Sequence, residues 1–270
     1  MKIRPGAKAV VTGAGSGIGR CIALALADEG ADLCLIDINE DTLQATARDA
    51  RRRGVGVVSK TCDLSQPKEV GAAADFVLAA GDRLNILVNC AGIAHYGATD
   101  AMTDEQWNRL LSVNLLAPVQ LTRLLLPTLL AQGEAHILNV CSIFGLVPAP
   151  RLAAYETSKF ALVGFSQAMR AEYGRPGFGV TALCPGFVQT PMIQVLANDL
   201  RGQGVAVPSW VTTRPEIVAA AAIRAIRRNQ GLVVVRRMAR AYWWLARISP
   251  GFVEWLNRKN VLGLLFRPRG

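Results

Sequence analysis

The chain has 270 residues, of which 51% are hydrophobic, and a formal net charge of +10. This length suits one α/β domain, and the hydrophobic content supports a large core and excludes a disordered chain. No stretch reaches the roughly 18 uninterrupted apolar residues of a membrane-spanning helix. The first six residues also lack the apolar run of a secretory signal, so we expect a cytoplasmic protein.

The positive charge is concentrated near the end of the chain. Residues 224–270 contain eleven Arg or Lys and one acid, Glu254, which gives +10, whereas residues 1–223 contain nineteen of each sign. A partner that is attracted by positive charge should therefore meet the C-terminal part of the chain.

Six cysteines occur without any CxxC pair, and most of them lie in apolar runs. This usage predicts reduced, buried thiols of an intracellular protein rather than disulfides. We see no His, Cys and Asp cluster that suggests a metal site. The cysteines are Cys21, Cys34, Cys62, Cys90, Cys141 and Cys184.

Strand and helix patterns alternate along the chain. Apolar runs predict strands at residues 7–12, 31–36, 55–61, 84–89, 136–140, 180–183 and 232–235. Helical periodicity lies between them, at residues 17–30, 41–54, 66–80, 104–132, 153–174 and 217–228. Nearly continuous apolar strands are typical of a parallel sheet that is buried on both faces.

This alternation predicts a doubly wound, Rossmann-type α/β fold, with a parallel sheet of about seven strands flanked by helices. We place a single catalytic domain at residues 1–235. A basic, aromatic-rich C-terminal helical extension follows at residues 236–270.

The first predicted strand ends at a glycine-rich turn, TGAGSGIG, at residues 12–19. Glycine permits positive φ and lets the backbone approach a pyrophosphate. The helix that follows offers unpaired N–H groups and a positive dipole end to the phosphates. The turn therefore predicts a dinucleotide site, although a simple strand–helix turn would use similar glycines.

Asp37 ends the second predicted strand, 18 residues after Gly19. A carboxylate there can accept hydrogen bonds from the adenosine ribose hydroxyls, and it would repel a 2′-phosphate. We therefore predict NAD rather than NADP. Asp37 could also cap the helix that follows, and the two roles are compatible.

Tyr155 and Lys159 stand four residues apart in a helical segment, which places them on one helix face. A neighbouring ammonium favours the phenolate and lowers the pKa of a tyrosine. A phenol adjusted in this way can exchange a proton near neutral pH. Taken alone, the pair could equally be an ordinary surface pair.

Further residues occur in a fixed order along the chain: Asp63-Leu64 after the third predicted strand, Asn89 in NCAG at the end of the fourth, Asn114 in SVNL, Ser142 after the fifth strand, and Pro185-Gly186 after the sixth, with Thr190 shortly after. Together with the TGxxxGxG and YxxxK patterns, this ordered set resembles the short-chain dehydrogenase/reductase family over residues 6–235. Cys90 is a mild departure, because the family turn commonly reads NAG.

The resemblance implies that Tyr155 is the general acid/base at the substrate oxygen. Lys159 would hold the nicotinamide ribose and lower the pKa of Tyr155. Ser142 would polarise the substrate oxygen, and Asn114 would position a water that links Lys159 to solvent. The implied cofactor-binding residues are Gly13, Ser16, Gly17, Ile18, Gly19, Asp37, Asp63, Leu64, Asn89, Ala91, Gly92, Tyr155, Lys159, Pro185, Gly186, Val188 and Thr190.

The same resemblance bears on cofactor choice and on assembly. Positions that are often basic in NADP-preferring relatives are Ser16 and Ile38 here, and Arg20 is the nearest cation. An NADP-dependent carbonyl reductase of the same fold is the alternative. Family habit also implies a homodimer or homotetramer.

Residues 191–213 correspond to a stretch that often forms a lid over the substrate in this family. An apolar cavity there would favour a lipophilic alcohol or carbonyl substrate, although the same residues could be ordinary core. The predicted substrate-binding residues are Ser142, Phe144, Tyr155 and Phe187. Further candidates are Tyr96, Ile143, Leu146, Val147, Ile193, Leu196, Val205, Val207 and Trp210. We expect His95 to be a loop residue and His136 to lie at the surface.

The extension interleaves arginines with tryptophans, and a Pro-Gly pair at residues 250–251 predicts two helices. It could lie on a membrane surface, or it could pack on the domain or at an oligomer interface. Without a nucleic-acid module we expect no nucleic acid partner. The sequence thus predicts an NAD-dependent oxidoreductase that interconverts a secondary alcohol and a ketone, or an alcohol and an aldehyde, on a lipophilic substrate. A non-catalytic dinucleotide-binding regulator is a further alternative.

Overall fold

The computed structural model describes residues 1–81, 83–193 and 212–259. One parallel sheet is built from β1 (Lys8–Thr12), β2 (Asp32–Asp37), β3 (Val57–Thr61), β4 (Ile86–Asn89), β5 (Ala135–Val140), β6 (Phe178–Cys184) and β7 (Leu232–Val234). The order across the sheet is β3-β2-β1-β4-β5-β6-β7. This architecture confirms the predicted doubly wound fold.

Helices cover both faces of the sheet. They are α1 (Gly17–Asp28), α2 (Glu40–Arg51), α3 (Pro67–Ala79), α4 (Asp104–Leu111), α5 (Ala117–Leu130), α6 (Ala153–Tyr173), α7 (Pro215–Arg227), α8 (Arg237–Ile248) and α9 (Pro250–Arg258). The core on one face joins α1, α2 and α7 to the sheet. The core on the other face joins α3 and α5 to it, together with part of α6.

Strand β1 shows why the apolar runs are continuous. Ala9 and Val11 belong to the core on one face, and Val10 belongs to the core on the other. All three are fully buried. Because alternate side chains point to opposite faces of a strand, a strand covered on both sides must be apolar at every position.

The chain reverses its direction of growth across the sheet after β3. Strands β2 and β3 extend the sheet on one side of β1, and β4 then pairs with β1 on the other side. A crevice opens at the carboxyl ends of the strands where such a reversal occurs. The fold therefore places a binding site beyond Thr12 and Asn89.

The predicted helix at residues 104–132 is interrupted in the structure. Helices α4 and α5 are separated by a π-helical segment, Ser112–Leu116. By length and composition, residues 104–130 form one helical run that could cross a membrane. Leu121, Leu125 and Leu129 of this run are buried in the core of the domain, so the run is a core element of the fold.

The surface position predicted for His136 is wrong. Strand β5 begins one residue earlier than expected and lies between β4 and β6, so His136 is fully buried. Its Nε2 is 2.8 Å from the hydroxyl of Thr181. Burial lowers the pKa of His136 to about 3, and the imidazole is therefore neutral near pH 7.

The extension forms the two predicted helices, α8 and α9, and the break falls at Ser249 and Pro250. A third core cluster lies where β6 and α6 meet the extension, and it includes Ile143 and Val147 from the segment after β5. Both helices of the extension pack on this cluster. The side chain of Asn257 donates a hydrogen bond of 3.1 Å to the carbonyl of Pro148. Helices α8 and α9 are therefore in contact with the domain between Ala239 and Asn257.

Candidate active site

The glycine-rich turn has the close backbone packing that a phosphate site requires. Gly13 and Gly17 have φ of +67° and +51°. A Cβ on Gly13 would lie 2.8 Å from the backbone of Ala91. A Cβ on Gly19 would overlap the carbonyl oxygen of Gly13. Side chains are therefore excluded at these points of the turn.

The N-terminus of α1 begins at this turn. Ser16 is its exposed N-cap residue, and within the described residues its hydroxyl makes no capping hydrogen bond. The first turn also contains no acidic side chain. The first N–H groups and the helix dipole are thus available to an anion, and a dinucleotide pyrophosphate fits this cradle.

Asp37 lies beside the same turn. Its Oδ2 accepts a hydrogen bond of 2.8 Å from the amide of Gly15, and its Oδ1 accepts one of 2.9 Å from Asn39. The cap of α2 is Asn39, whose side chain accepts from the amide of Thr42. The carboxylate of Asp37 is therefore held beside the glycine-rich turn, and the cap of α2 is Asn39 rather than Asp37.

The carboxyl ends of β3 and β6 complete this edge of the sheet. Asp63 and Leu64 follow β3, and the Oδ1 of Asp63 accepts a hydrogen bond of 2.9 Å from the amide of Ser65. The loop after β6 contains Pro185, Gly186, Val188 and Thr190. Thr190 approaches the turn so closely that a Cβ on Gly17 would lie 2.9 Å from its methyl group. Helix α1 follows the turn, and Ile18 in its first turn packs against the core that joins α1, α2 and α7 to the sheet.

Thr12 begins the glycine-rich turn, and the sequence reasoning assigned its side chain no role. Its hydroxyl accepts hydrogen bonds from the amides of Cys90 and Ala91, at 3.0 and 3.1 Å. This contact ties the segment after β4 to the glycine-rich turn. A hydroxyl residue at the end of β1, directly before the first glycine, was the available signal. Burial raises the pKa of Cys90 to about 12, so its thiol stays protonated.

The side chain of Asn89 points away from the crevice. Its amide donates to the hydroxyl of Thr122 at 3.1 Å and to the Oδ1 of Asn139 at 2.8 Å. Asn139 in turn donates to Ser166 at 2.8 Å. This buried network joins β4 and β5 to α5 and α6. A cofactor contact by Asn89 would therefore come from its backbone.

Tyr155 and Ser142 meet at the carboxyl end of β5. The side chain of Ser142 hydrogen-bonds to the Tyr155 phenol and accepts a hydrogen bond of 3.2 Å from the amide of Phe144. Burial raises the pKa of Tyr155 to about 12, and the bond with Ser142 acts in the opposite direction. Without a cofactor the phenol is therefore neutral, because burial raises its pKa more than the bond with Ser142 lowers it.

Lys159 lies one helical turn after Tyr155 and is only 3% exposed. Its ammonium donates a hydrogen bond of 3.0 Å to the carbonyl of Val140 and lies 5.7 Å from the centroid of the Tyr155 ring. Burial lowers the pKa of Lys159. Gly145 makes room for this helix turn, because a Cβ there would lie 2.6 Å from the Lys159 carbonyl oxygen.

Asn114 connects the segment after β4 to α6, the helix that carries Tyr155 and Lys159. Its Oδ1 accepts from the amide of Ile93 at 2.8 Å, and its amide donates to the carbonyl of Ile93 at 2.9 Å. The amide also donates to Ser158 at 3.1 Å, and Ser158 donates to the carbonyl of Tyr155 at 2.6 Å. A Cβ on Gly92 would lie 3.3 Å from Asn114, which explains the small residue there. Sequence reasoning did not single out Ser158.

The residues expected around a substrate differ in their exposure to solvent. Phe144 and Phe187 are partly exposed, and their rings meet edge to face with centroids 5.5 Å apart. Ile143 and Val147 are core residues instead. Leu146, Tyr96, His95 and Ile193 are partly exposed. Leu196, Val205, Val207 and Trp210 lie outside the described residues.

Within the described ranges, no group of three or more His, Cys, Asp or Glu side chains could hold a metal ion. The crevice instead combines an open helix N-terminus, a carboxylate and a Ser–Tyr–Lys arrangement. A family model described as short chain dehydrogenase matches residues 7–201. The chain belongs to the short-chain dehydrogenase/reductase family.

Curated relatives of this short-chain dehydrogenase/reductase extend beyond the matched segment. SadH of Mycobacterium tuberculosis, named as an oxidoreductase, is 36% identical over 90% of this chain and 91% of its own length. Estradiol 17-beta-dehydrogenase 11 of Rattus norvegicus is 32% identical over 93% of this chain and 82% of its own length.

Solved structures share the same fold. A short-chain dehydrogenase/reductase from Burkholderia phymatum in complex with NAD superposes with a TM-score of 0.84 and 27% identity, over 93% of this chain and 96% of that chain. A protein from Beutenbergia cavernae, described as an NAD(P)-dependent gluconate 5-dehydrogenase with bound NADP, gives 0.77 and 30%, over 87% and 97%. The short-chain dehydrogenase/reductase described here is thus a nicotinamide-dinucleotide-dependent oxidoreductase acting on CH–OH groups.

Proposed function

We propose that this enzyme uses NAD to interconvert a lipophilic secondary alcohol with the corresponding ketone, or a lipophilic alcohol with the aldehyde. The observation that carries the proposal is the hydrogen bond between Ser142 and the Tyr155 phenol, with Lys159 one helical turn away. These groups lie at the edge of the sheet that also holds the glycine-rich turn. The nicotinamide, when bound, supplies the hydride chemistry.

In the proposed mechanism the protein moves a proton and orients the substrate. The hydroxyl of Ser142 donates to the substrate oxygen, and the neutral phenol of Tyr155 gives its proton to that oxygen during reduction. During oxidation Tyr155 accepts the proton. The ammonium of Lys159 stabilises the phenolate that is left in reduction or required in oxidation.

A proton path from Lys159 would pass near Asn114. Both amide hydrogens of Asn114 are already donated, to Ile93 and to Ser158. Its Oδ1 accepts one bond from Ile93 and keeps a second lone pair. We propose that this lone pair holds the relay water, while the other bonds fix the orientation of the amide.

Two observations support NAD over NADP. Asp37 places a carboxylate beside the turn, where a 2′-phosphate would be repelled. Arg20, the nearest cation in the sequence, forms an ion pair of 2.6 Å with Asp49 on α2. The Arg20 guanidinium is thus engaged by an acid of α2, and we propose no role for it at a 2′-phosphate.

Cofactor choice can be tested by fluorescence titration with NADH and NADPH. We expect wild type to bind NADH more tightly, and Asp37→Asn to lose about 10–100-fold in NADH affinity, as for a hydrogen bond to a charged group. NADPH binding should improve, because the repulsion is removed. Asp41→Asn is the matched control, since Asp41 is an exposed acid in the first turn of α2. Tighter NADPH binding by wild type would overturn the assignment.

The lipophilic substrate is supported by the partly exposed edge-to-face pair of Phe144 and Phe187 near Ser142. The relative named as an estradiol dehydrogenase is in keeping with this class of substrate. An NAD⁺-coupled screen over aliphatic, alicyclic and steroid-like alcohols tests it. We expect activity to rise with substrate hydrophobicity, and Phe187→Ala to raise KM more than it lowers kcat. A preference for polyols or sugar phosphates would contradict the proposal.

A further inference from the structure

Helices α8 and α9 have two faces of different character. The inner face packs on the domain through Tyr242, Trp243, Leu245 and Ala246. Val253 of α9 is buried in the same cluster, at 2% exposure. This contact fixes the two helices on the domain, so their opposite faces are held toward solvent in a constant arrangement.

The outer face consists of the large apolar side chains that remain exposed on these helices. Ile248 is 79% exposed, and Trp244 and Trp255 are each 51% exposed. Met238 and Phe252 are exposed as well, and Phe252 stacks on Trp255 with ring centroids 5.7 Å apart. A cluster of this kind on a monomer marks a surface that a partner covers.

Positive charges accompany the exposed apolar side chains. Arg237, Arg240 and Arg247 are exposed on α8 at spacings of three and seven residues. The guanidinium of Arg240 donates a hydrogen bond of 3.5 Å to the carbonyl of Val234, and that of Arg247 lies 5.4 Å from the ring centroid of Trp243 at the edge of the inner face. Residues 236–259 contain six Arg or Lys and one acid, Glu254, which gives a net charge of +5. Glu254 is itself paired with Arg258 at 2.6 Å, so it does not neutralise the arginines of α8.

This combination of side chains distinguishes between possible partners. Trp and Phe rings reside at the headgroup level of a bilayer, where nearby arginines meet anionic lipids. A symmetric contact with a second copy would bring the same face, and the same positive charges, against each other. Nucleic acid would match the arginines but would leave Ile248 and Met238 without an apolar environment.

We propose that the outer face of α8 and α9 binds the surface of an anionic lipid bilayer. The helices lie on the membrane with their aromatic side chains at headgroup depth, and the domain remains on the aqueous side. Binding needs no catalytic residue, so the proposal goes beyond the proposed function and stands independently of it.

The position of these helices connects the membrane surface to the catalytic crevice. Their inner face contacts Ile143 and Val147, from the segment that directly follows Ser142. A Cβ on Gly186 would lie 3.7 Å from the Cβ of Ala239 on α8. If the substrate is lipophilic, as proposed above, α8 and α9 would therefore separate the bilayer that holds it from the wall of the site by one layer of helices.

Vesicle co-sedimentation of the full-length protein tests the proposal. The probes are vesicles of phosphatidylcholine alone and vesicles that contain one part phosphatidylglycerol to three parts phosphatidylcholine. We expect binding to the anionic vesicles only, and release at high salt. Arg237→Gln/Arg247→Gln should lower the partition coefficient by about fivefold for each arginine, and Trp244→Ala/Trp255→Ala should also weaken binding.

The matched control is Arg48→Gln/Arg228→Gln, which removes the same charge from exposed positions on α2 and at the end of α7. We expect this control to bind as wild type does. The proposal would be overturned if Arg237→Gln/Arg247→Gln bound anionic vesicles as tightly as this control does, or if wild type showed no preference for anionic vesicles. It would also be overturned if wild type ignored vesicles and the tryptophan variant instead dissociated an oligomer in light scattering. Cofactor titration of each variant checks that it is folded.

Discussion

At the scale of single residues, Tyr155 shows how burial and hydrogen bonding act against each other. Burial raises the pKa of its phenol to about 12, while Ser142 stabilises the ionised form. Lys159 is close, at 5.7 Å from the ring centroid, but its own pKa is lowered by the same burial. In the cofactor-free site the phenol is therefore neutral, and burial disfavours the charged form of both side chains.

Tyr155→Phe removes only the hydroxyl that we assign as the general acid/base. We expect turnover to fall about 10²–10⁴-fold, the usual contribution of a positioned acid/base group. Affinity for NADH should change little, because the aromatic ring and Lys159 remain. Steady-state kinetics on a substrate from the alcohol screen, with parallel cofactor titration, would measure both.

Tyr173→Phe is the matched control for this substitution. Tyr173 ends the same helix, α6, and packs at the edge of the core that joins α3 and α5 to the sheet. It should keep wild-type turnover. If Tyr155→Phe retained full turnover, Tyr155 would not be the proton donor.

At the scale of secondary-structure elements, the central strands carry buried polar groups. His136 on β5 is fully buried against Thr181 on β6. Burial lowers the pKa of His136 from 6.5 to about 3. Between these two values the unfolded chain binds a proton that the folded protein does not, so the free energy of unfolding falls as pH falls below about 6.5.

The substitution His136→Gln should remove this dependence. Glu156 has the opposite sign, because burial raises its pKa from 4.5 to about 7, so its contribution is lost as pH rises through 7. Comparing His136→Gln with wild type cancels the Glu156 effect. We expect wild type to lose stability relative to the variant by up to about 1.4 kcal/mol per pH unit below pH 6.5.

Denaturant unfolding of both proteins at several pH values between about 4 and 8 would measure this difference in the free energy of unfolding. The range covers pH values above and below 6.5, where the unfolded histidine begins to bind its proton. A stability difference between the two proteins that stays constant with pH would show that His136 is not buried in its neutral form.

At the scale of the whole molecule, large apolar side chains are exposed away from the extension. Leu124 on α5 and Phe160 on α6 are exposed, as is Leu116 in the π-helical segment. Exposed apolar side chains on neighbouring helices favour self-association. We therefore expect a dimer or tetramer that uses α5 and α6, separate from the surface of α8 and α9.

Leu124→Glu would place a charge in this predicted interface. We expect it to lower the mass measured by light scattering, whereas Leu78→Glu, at an exposed leucine on α3, should leave the mass unchanged. A monomeric wild type, or a variant of unchanged mass, would contradict the predicted use of α5 and α6.

Features that depend on neighbours in the chain were predictable from the sequence. Continuous apolar runs predicted the parallel strands, and Pro250 marked the break between α8 and α9. The glycines of residues 12–19 and the four-residue spacing of Tyr155 and Lys159 also depend on local geometry alone. The family resemblance rests on these local patterns, and the comparison with known proteins confirms it.

Only the tertiary structure decided where side chains point when several partners compete for them. Asn89 faces a buried network rather than the crevice, His136 is covered by strands on both sides, and Thr12 ties two loops together. These contacts join residues that are distant in the chain, so no local pattern encodes them. The two faces of α8 and α9 were likewise defined only once packing had buried one of them.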